Sequence, residues 1–414
     1  MRILFTLLSL VFLSACTVEN GQQETTVAGP GAAMETWRLV IRLPQADLPV
    51  TLKLATDRTS AWFENGVEKV IVPDVEQSGQ QLRLHFPSFN NTFDLVLDGD
   101  RMRGELTLVK RGYEQVMPVQ GDRGATYRFA PEPQAAADVT GRWDVLFLDD
   151  EGNETRAVAE LDQQGSRVAG TVLTPTGDYR YLYGEVDGRR LELSTFDGAH
   201  AFVFAAEVEE SGQLSGDFWS GTRWHESWTA QRNFDARLPD PYQLTYLKEG
   251  YDSLAFEFPD LEGQPVALVD PKYDGKVVLV TLSGTWCPNC ADEVAFLSDY
   301  YRNNHQRGLE IITLLYEHFE DFDRAAAQGR ALRKQYGIDY DVLIAGVSDK
   351  TLASETLPML SRVLAFPTMI FIDRDGRVRH IHTGFAGPGT GQHYSDFVAG
   401  FNATMDELLA EPEG

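Results

Sequence analysis

Val277-Val278-Leu279-Val280-Thr281-Leu282-Ser283-Gly284-Thr285-Trp286-Cys287-Pro288-Asn289-Cys290-Ala291-Asp292-Glu293-Val294-Ala295-Phe296-Leu297 decides the fold of the C-terminal third of this chain. The unbroken apolar run 277–282 suits a strand buried on both faces. After Cys290 the apolar residues take helical spacing. A strand that passes through a short loop into a helix puts Cys287 near the helix N-terminus, where unpaired amides and the positive end of the macrodipole favour a thiolate over a thiol. Pro288 suits the first turn because it has no amide hydrogen to leave unpaired. Cys290 follows about one turn later, so its sulfur can reach that of Cys287. The pair is therefore suited to two-step exchange: Cys287 attacks a disulfide, and Cys290, once deprotonated, resolves the mixed disulfide.

Working outward, the 414 residues exceed one ordinary core, and two or three domains are expected. The 24% charged and 43% hydrophobic content is that of a globular protein. A formal charge of −26 opposes binding to a phosphate backbone and excludes nucleic acid as an expected partner. The chain has three cysteines, and one of them, Cys16, stands in a targeting segment. That leaves no disulfide framework, and a lone close pair closes too short a loop to be a useful staple.

Met1-Arg2, the apolar run 3–13 and Ser14-Ala15-Cys16 have the pattern of an export signal. The run is shorter than the roughly 20 apolar residues of a spanning helix. Leu13-Ser14-Ala15-Cys16 resembles a bacterial lipobox, which implies cleavage before Cys16, diacylation of its thiol and acylation of the new amine. Several acyl chains anchor stably where one does not. An ordinary secretory signal with an incidental cysteine is the alternative. Thr17, rather than Asp, follows the cysteine, which by the usual sorting rule implies the outer membrane and a periplasm-facing chain.

From Thr36 to about Gln231, short runs rich in Val, Leu, Phe, Tyr and Trp alternate with Asp, Gly, Ser and Asn turns, which is an all-β signature. Leu82-Arg83-Leu84 and Arg103-Gly104-Glu105-Leu106 are echoed by Leu191-Glu192-Leu193 and Ser215-Gly216-Asp217-Phe218, at offsets of 109 and 112 residues. Two duplicated units of roughly eight strands each, barrel-like or sandwich-like, are expected. Gly141-Arg142-Trp143 at the start of the second is similar to the first strand of lipocalin-like barrels. Trp219, Trp224, His225 and Trp228 either line a ligand mouth or pack in core and rim.

Pro239, Asp240 and Pro241 mark the boundary to the last domain. There, strands 309–315, 342–344, 368–372 and 378–382, a helix 323–336 and a final helix to residue 409 are predicted around one mixed sheet. From about Phe256 onward the chain resembles the TlpA/ResA-like thiol-disulfide oxidoreductases of the thioredoxin superfamily. The resemblance rests on Gly275-Lys276-Val277-Val278-Leu279-Val280, on Thr285-Trp286-Cys287-Pro288-Asn289-Cys290 with Glu293, and on Phe366-Pro367-Thr368 followed by Ile370-Phe371-Ile372-Asp373. It implies a cis peptide before Pro367 in a loop facing the cysteines, where Trp286, Phe366 and Pro367 meet an extended substrate segment. It also implies that Glu293 exchanges a proton with Cys290, since Thr281 stands where thioredoxin proper carries a buried Asp. A surface glutamate complementing the helix dipole is the alternative for Glu293, and simple packing the alternative for Trp286. Val294 departs from the family's frequent proline, and Asn289 tunes potential and partner choice.

The expected division is 1–16 signal and lipobox, 17–34 tether, 35–130 and 138–233 β-rich domains, 234–250 linker, and 251–414 an α/β thioredoxin-like domain. No cofactor is expected beyond a redox-active Cys287–Cys290 disulfide. The family favours a reductant, kept reduced by a membrane thiol donor of DsbD/CcdA type and acting on disulfide-containing envelope proteins. The rivals are metal binding by the two thiolates with His380 or His382, as in copper delivery, and a surface ligand-binding lipoprotein whose redox site is vestigial.

Overall fold

The computed structural model describes residues 33–412, so Cys16 and the signal lie outside the described residues. Nine antiparallel strands between Met34 and Arg123 form the first unit. They follow one another as a meander, and the last, Tyr113–Arg123, returns to pair with the first, Met34–Arg42, through contacts such as Trp37↔Arg123 and Ile41↔Val119. In that last strand Gln115, Met117, Val119 and Gly121 alternate inward, the period-two pattern of a sheet with one buried face. Its free edges are Glu68–Val72 and Asp74–Ser78, neighbours in sequence that do not pair. Pro73, which has no amide hydrogen to donate, sits between them. The unit is therefore an open barrel.

The second unit closes. Eight long strands from Gly141–Asp149 to Trp224–Arg232 run up and down, and a ninth of two residues, Gly177–Asp178, pairs beside Arg167–Thr174; the last strand pairs with the first, and Glu154–Gln164 pairs on both sides, so the eight close on themselves. The expected duplication thus yields two up-and-down units that differ in closure. Phe147, Phe204, Phe218, Trp228 and Tyr179 fill the second interior. The aromatic group singled out in the sequence divides: Trp228 is core, Trp219 and His225 pair on the outside, and Trp224 is half exposed. These four side chains do not form a single ligand mouth.

The two β units share one core. Phe196 of the second stands between Phe63, Phe86 and Phe93 of the first, at ring-centroid distances of 4.9, 5.7 and 5.1 Å. Next to it Gly198, at φ +96°, lies so close to the first unit that a Cβ would come within 2.9 Å of Phe89. Buried Arg128 ties the units, donating to the Glu64 carbonyl, Asn65 Oδ1, and the hydroxyl and carbonyl of Ser194.

The C-terminal domain is a five-stranded sheet in the order Asp341–Val347, Leu309–Glu317, Val277–Ser283, Thr368–Ile372, Val378–Thr383; the first three strands are parallel, the last two antiparallel. All seven residues of Val277–Ser283 are buried, as a central strand covered on both faces requires. Helices α1 (Pro288–Asn304), α2 (Phe322–Tyr336), α3 (Lys350–Thr356) and α4 (Gln392–Ala410) surround it. Asp321 caps α2 by accepting from the Arg324 amide, and Gly337 ends it in the left-handed region. Helix α1 runs unbroken through Val294. Residues 245–248 dock on the domain through Tyr246, Lys248 and Thr245, which bond to Ser361, Met359 and Thr383.

Candidate active site

The buried strand Val277–Ser283 delivers the chain into α1, and Cys287 is the N-cap of that helix with Pro288 in its first turn. The Cys290 amide points at the Cys287 sulfur, N···Sγ 3.2 Å, in the place where capping side chains accept a hydrogen bond. On its other side the Cys287 thiol donates to the Phe366 carbonyl at 3.6 Å, and the Phe366–Pro367 peptide is cis. Cys287 and Cys290 are both free thiols; Cys287 is 5% exposed and Cys290 fully buried. Burial, and then the neighbouring Cys287, push the Cys290 thiol well up.

Glu293 lies one turn beyond Cys290 on α1, fully buried, with neither carboxylate oxygen bonded to a protein donor. Burial pushes its pKa well above the carboxylate range, and negative charge at Cys287 adds to the effect. Both influences favour its protonated form. Thr281, where a buried Asp would stand in thioredoxin, is buried and pairs hydroxyl to hydroxyl with Thr313 at 3.1 Å.

Trp286 packs edge-on against Phe366, stacks on His318 at 4.9 Å between ring centroids, and donates its indole N–H to the Tyr316 carbonyl at 2.8 Å. Trp286, Phe366 and Pro367 are thus assembled around Cys287. His380 and His382 instead contact the rings of Tyr242, Phe371 and Phe397, and burial pushes His382 down to about 4. Among the described residues no group of three or more His, Cys, Asp and Glu side chains is placed to hold a metal ion.

Two features escaped the sequence reading. Glu317 ends the largely buried strand Leu309–Glu317 and accepts from both the amide (2.9 Å) and the hydroxyl (2.7 Å) of Thr285, two residues before Cys287. Burial pushes it up to about 7, against the pull of those two bonds. An acid closing the apolar run Leu314-Leu315-Tyr316 was the only available signal. The second feature is the approach of the β units. Lys110 of the first is half-buried, donates to the Ala199 carbonyl at 3.1 Å, and feels the charge of Asp197 and Cys287; desolvation lowers its pKa. His318 is pushed down to about 3 by burial, with Lys110, His200 and Arg111 adding to the effect.

A dithiol at a helix N-terminus, facing a proline loop across a mixed five-stranded sheet, defines a thioredoxin-type domain for thiol-disulfide exchange. Residues 248–395 match the Redoxin family. The chain is 32% identical over 142 residues to the thiol-disulfide oxidoreductase ResA of Bacillus thuringiensis subsp. konkukian, an alignment covering 33% of this chain and 73% of that one. It is 25% identical over 138 residues to ResA of Bacillus subtilis, with 33% and 69% covered. Among solved structures it is similar to a putative thiol:disulfide interchange protein DsbE from Chlorobium tepidum, with 19% identity, a TM-score of 0.29, and 37% of this chain and 98% of that one covered. The chain belongs to the TlpA/ResA-like thiol-disulfide oxidoreductases, with two β-barrel-like units placed before the redox domain.

Proposed function

We propose that this protein is a lipid-anchored disulfide reductase of the bacterial envelope, acting on oxidised protein substrates. The observation that carries the chemistry is the Cys287–Cys290 dithiol, with Cys287 capping α1 and a buried Glu293 one turn on. Cys287 is the nucleophile. Its thiolate attacks one sulfur of a substrate disulfide, forming an enzyme–substrate disulfide and releasing the other substrate sulfur as a thiolate, which takes up a proton. Cys290 resolves: its sulfur attacks that of Cys287 and expels the second substrate thiolate, leaving a Cys287–Cys290 disulfide and a substrate reduced by two electrons.

Cys290 cannot attack while it holds its proton, and burial strengthens that hold. Once Cys287 is tied up in the mixed disulfide, the negative charge that also raised Glu293 is gone. Glu293 then ionises more easily, passing its own proton to the leaving thiolate and accepting that of Cys290 in turn. Trp286, Phe366 and Pro367 form the surface on which an extended substrate segment docks. Two electrons from a membrane thiol donor of DsbD/CcdA type return the pair to the dithiol.

Anchoring is the part carried by sequence alone: labelled palmitate is expected to attach to the wild-type chain in the producing bacterium and not to a Cys16→Ser chain, and a wild-type chain left unlabelled would refute it. The direction of electron flow is tested in the same cells by acid quenching and alkylation of free thiols. The account expects Cys287 and Cys290 to be trapped mostly reduced, and a Cys290→Ser chain to accumulate dithiothreitol-sensitive adducts through Cys287. A pair trapped fully oxidised, without such adducts, would show that the protein does not work as a reductase.

A further inference from the structure

The docking face of the redox domain is already covered by the chain's own second barrel. Between the strands Arg167–Thr174 and Leu182–Asp187 the barrel sends out residues 175–181. At one end the backbone of Pro175 and Thr176 lies against Gly384, where a Cβ would come within 3.1 Å of both. Gly384 in turn donates its amide to the Pro367 carbonyl at 2.9 Å, so this end sits on the proline loop. In the middle, Gly177 rests on the residue between the cysteines, and a Cβ there would lie 3.3 Å from Asn289. Asp178 then accepts from the Asn289 side chain at 3.0 Å and from the Gly387 amide at 2.7 Å.

At the far end Arg180 adopts the left-handed backbone at φ +55°, a conformation that a non-glycine residue holds only when its surroundings enforce it. Its guanidinium donates to the Pro288 carbonyl at 3.2 Å and pairs with Asp292 of α1 and, at 2.8 Å, with Glu68 of the first β unit. Tyr179 fixes the segment from below, with its ring in the barrel core. The result is that Cys287, Pro288, Phe366, Pro367 and Gly384 are all buried in the intact chain.

We propose that residues 175–181 are a strap occupying the groove in which the redox domain takes an extended protein segment, so that protein substrates reach Cys287 only when the strap lifts. The inference rests on the reading of this site as one for protein disulfides, since backbone pairing beside a proline loop needs an open groove. As part of the same molecule, the strap competes at a high effective concentration. The contacts are distributed so that they can part cleanly. Glu68 and Arg180 stay together on the β side, Asp292, Asn289 and Gly387 stay on the redox side, and both halves gain water as they separate. The barrel ladder beside the strap, Arg167↔Glu185 to Gly170↔Leu182, and the strap's own pairs with the barrel, Leu173↔Asp178 and Thr174↔Gly177, use none of these bonds, so the strap leaves the redox domain together with the barrel that carries it.

The test compares the full wild-type chain with Asp178→Ala and Glu68→Gln/Arg180→Ala chains. Each is supplied with dithiothreitol and offered either insulin or bis(2-hydroxyethyl) disulfide, a molecule small enough to need little of the groove. Both variants are expected to reduce insulin roughly 10-fold faster than wild type while changing the small disulfide less than about threefold, because only the population of the open groove has moved. Equal insulin rates in wild type and in variants of native circular dichroism would overturn the strap. Failure of every chain to reduce either disulfide would overturn the thiol-exchange reading itself, and the strap with it. Should the variants not fold, hydrogen exchange on a Cys290→Ser chain disulfide-linked to a cysteine peptide decides: the Gly387 amide, bonded to Asp178 across the groove, loses protection if the strap lifts, and unchanged protection refutes it.

Discussion

Replacing Glu293 with Gln probes the proton route with little change of shape. Burial favours the protonated carboxyl, whose charge and volume the amide reproduces, so the field at Cys287 is left unchanged. Alkylation of Cys287 by iodoacetamide should therefore stay within about threefold of wild type, because no charge facing the nucleophile has been altered. What the amide cannot do is ionise. Burial holds the proton on Cys290, and each further pH unit between solvent and that thiol's pKa leaves about tenfold less thiolate to attack the mixed disulfide. Loss of a positioned acid–base group costs about 10²–10⁴-fold, or roughly 3–5 kcal/mol of barrier. The assay is stopped-flow resolution of a mixed disulfide between Cys287 and a chromogenic thiol. In the Gln variant the intermediate should accumulate, with its decay slowed at least about 100-fold near neutral pH and accelerating about tenfold per pH unit through the alkaline range. An unchanged decay rate and pH profile would refute the reasoning and leave Glu293 as a packing residue.

Glu317 is held up at about 7 against an ordinary value of 4.5, so the folded state keeps a proton that the unfolded chain has released. The domain is then at full strength below the ordinary carboxylate range and weakens as pH rises toward 7, by on the order of 3 kcal/mol. Native-state hydrogen exchange of Val277–Ser283 should show that slope in wild type and lose it in Glu317→Gln; parallel slopes in the two would count against it. Phe196→Ala removes the ring that joins the two β cores and should destabilise both units together by about 3–5 kcal/mol, read as exchange protection in Met34–Arg42 as well as in Ala201–Val208. Loss confined to the second unit would mean the cores are not shared.

The redox domain was legible because its signals are local. The apolar run 277–282, the capping Cys287 with Pro288, and the period of α2 between Asp321 and Gly337 each fit within one element. The β units were legible as alternating strands, but closure depends on which edges meet, and the open edge at Pro73 is a property of long-range register. Contacts between distant residues left no pattern at all. Arg180 lies 112 residues from both Glu68 and Asp292, and Asp178 lies 111 from Asn289, so nothing around any of them announces the pairing. The same holds for Phe196, an ordinary aromatic in its own strand and the centre of a neighbouring core in three dimensions.

The account's central claim is that the Cys287–Cys290 pair donates electrons to substrate disulfides. Equilibration of the full chain in graded glutathione buffers, with the thiol and disulfide forms separated after acid quenching, measures this most directly. A midpoint near about −270 mV, in the range of thioredoxin, is the predicted result, and one near about −120 mV, that of a strong oxidant such as DsbA, would contradict it.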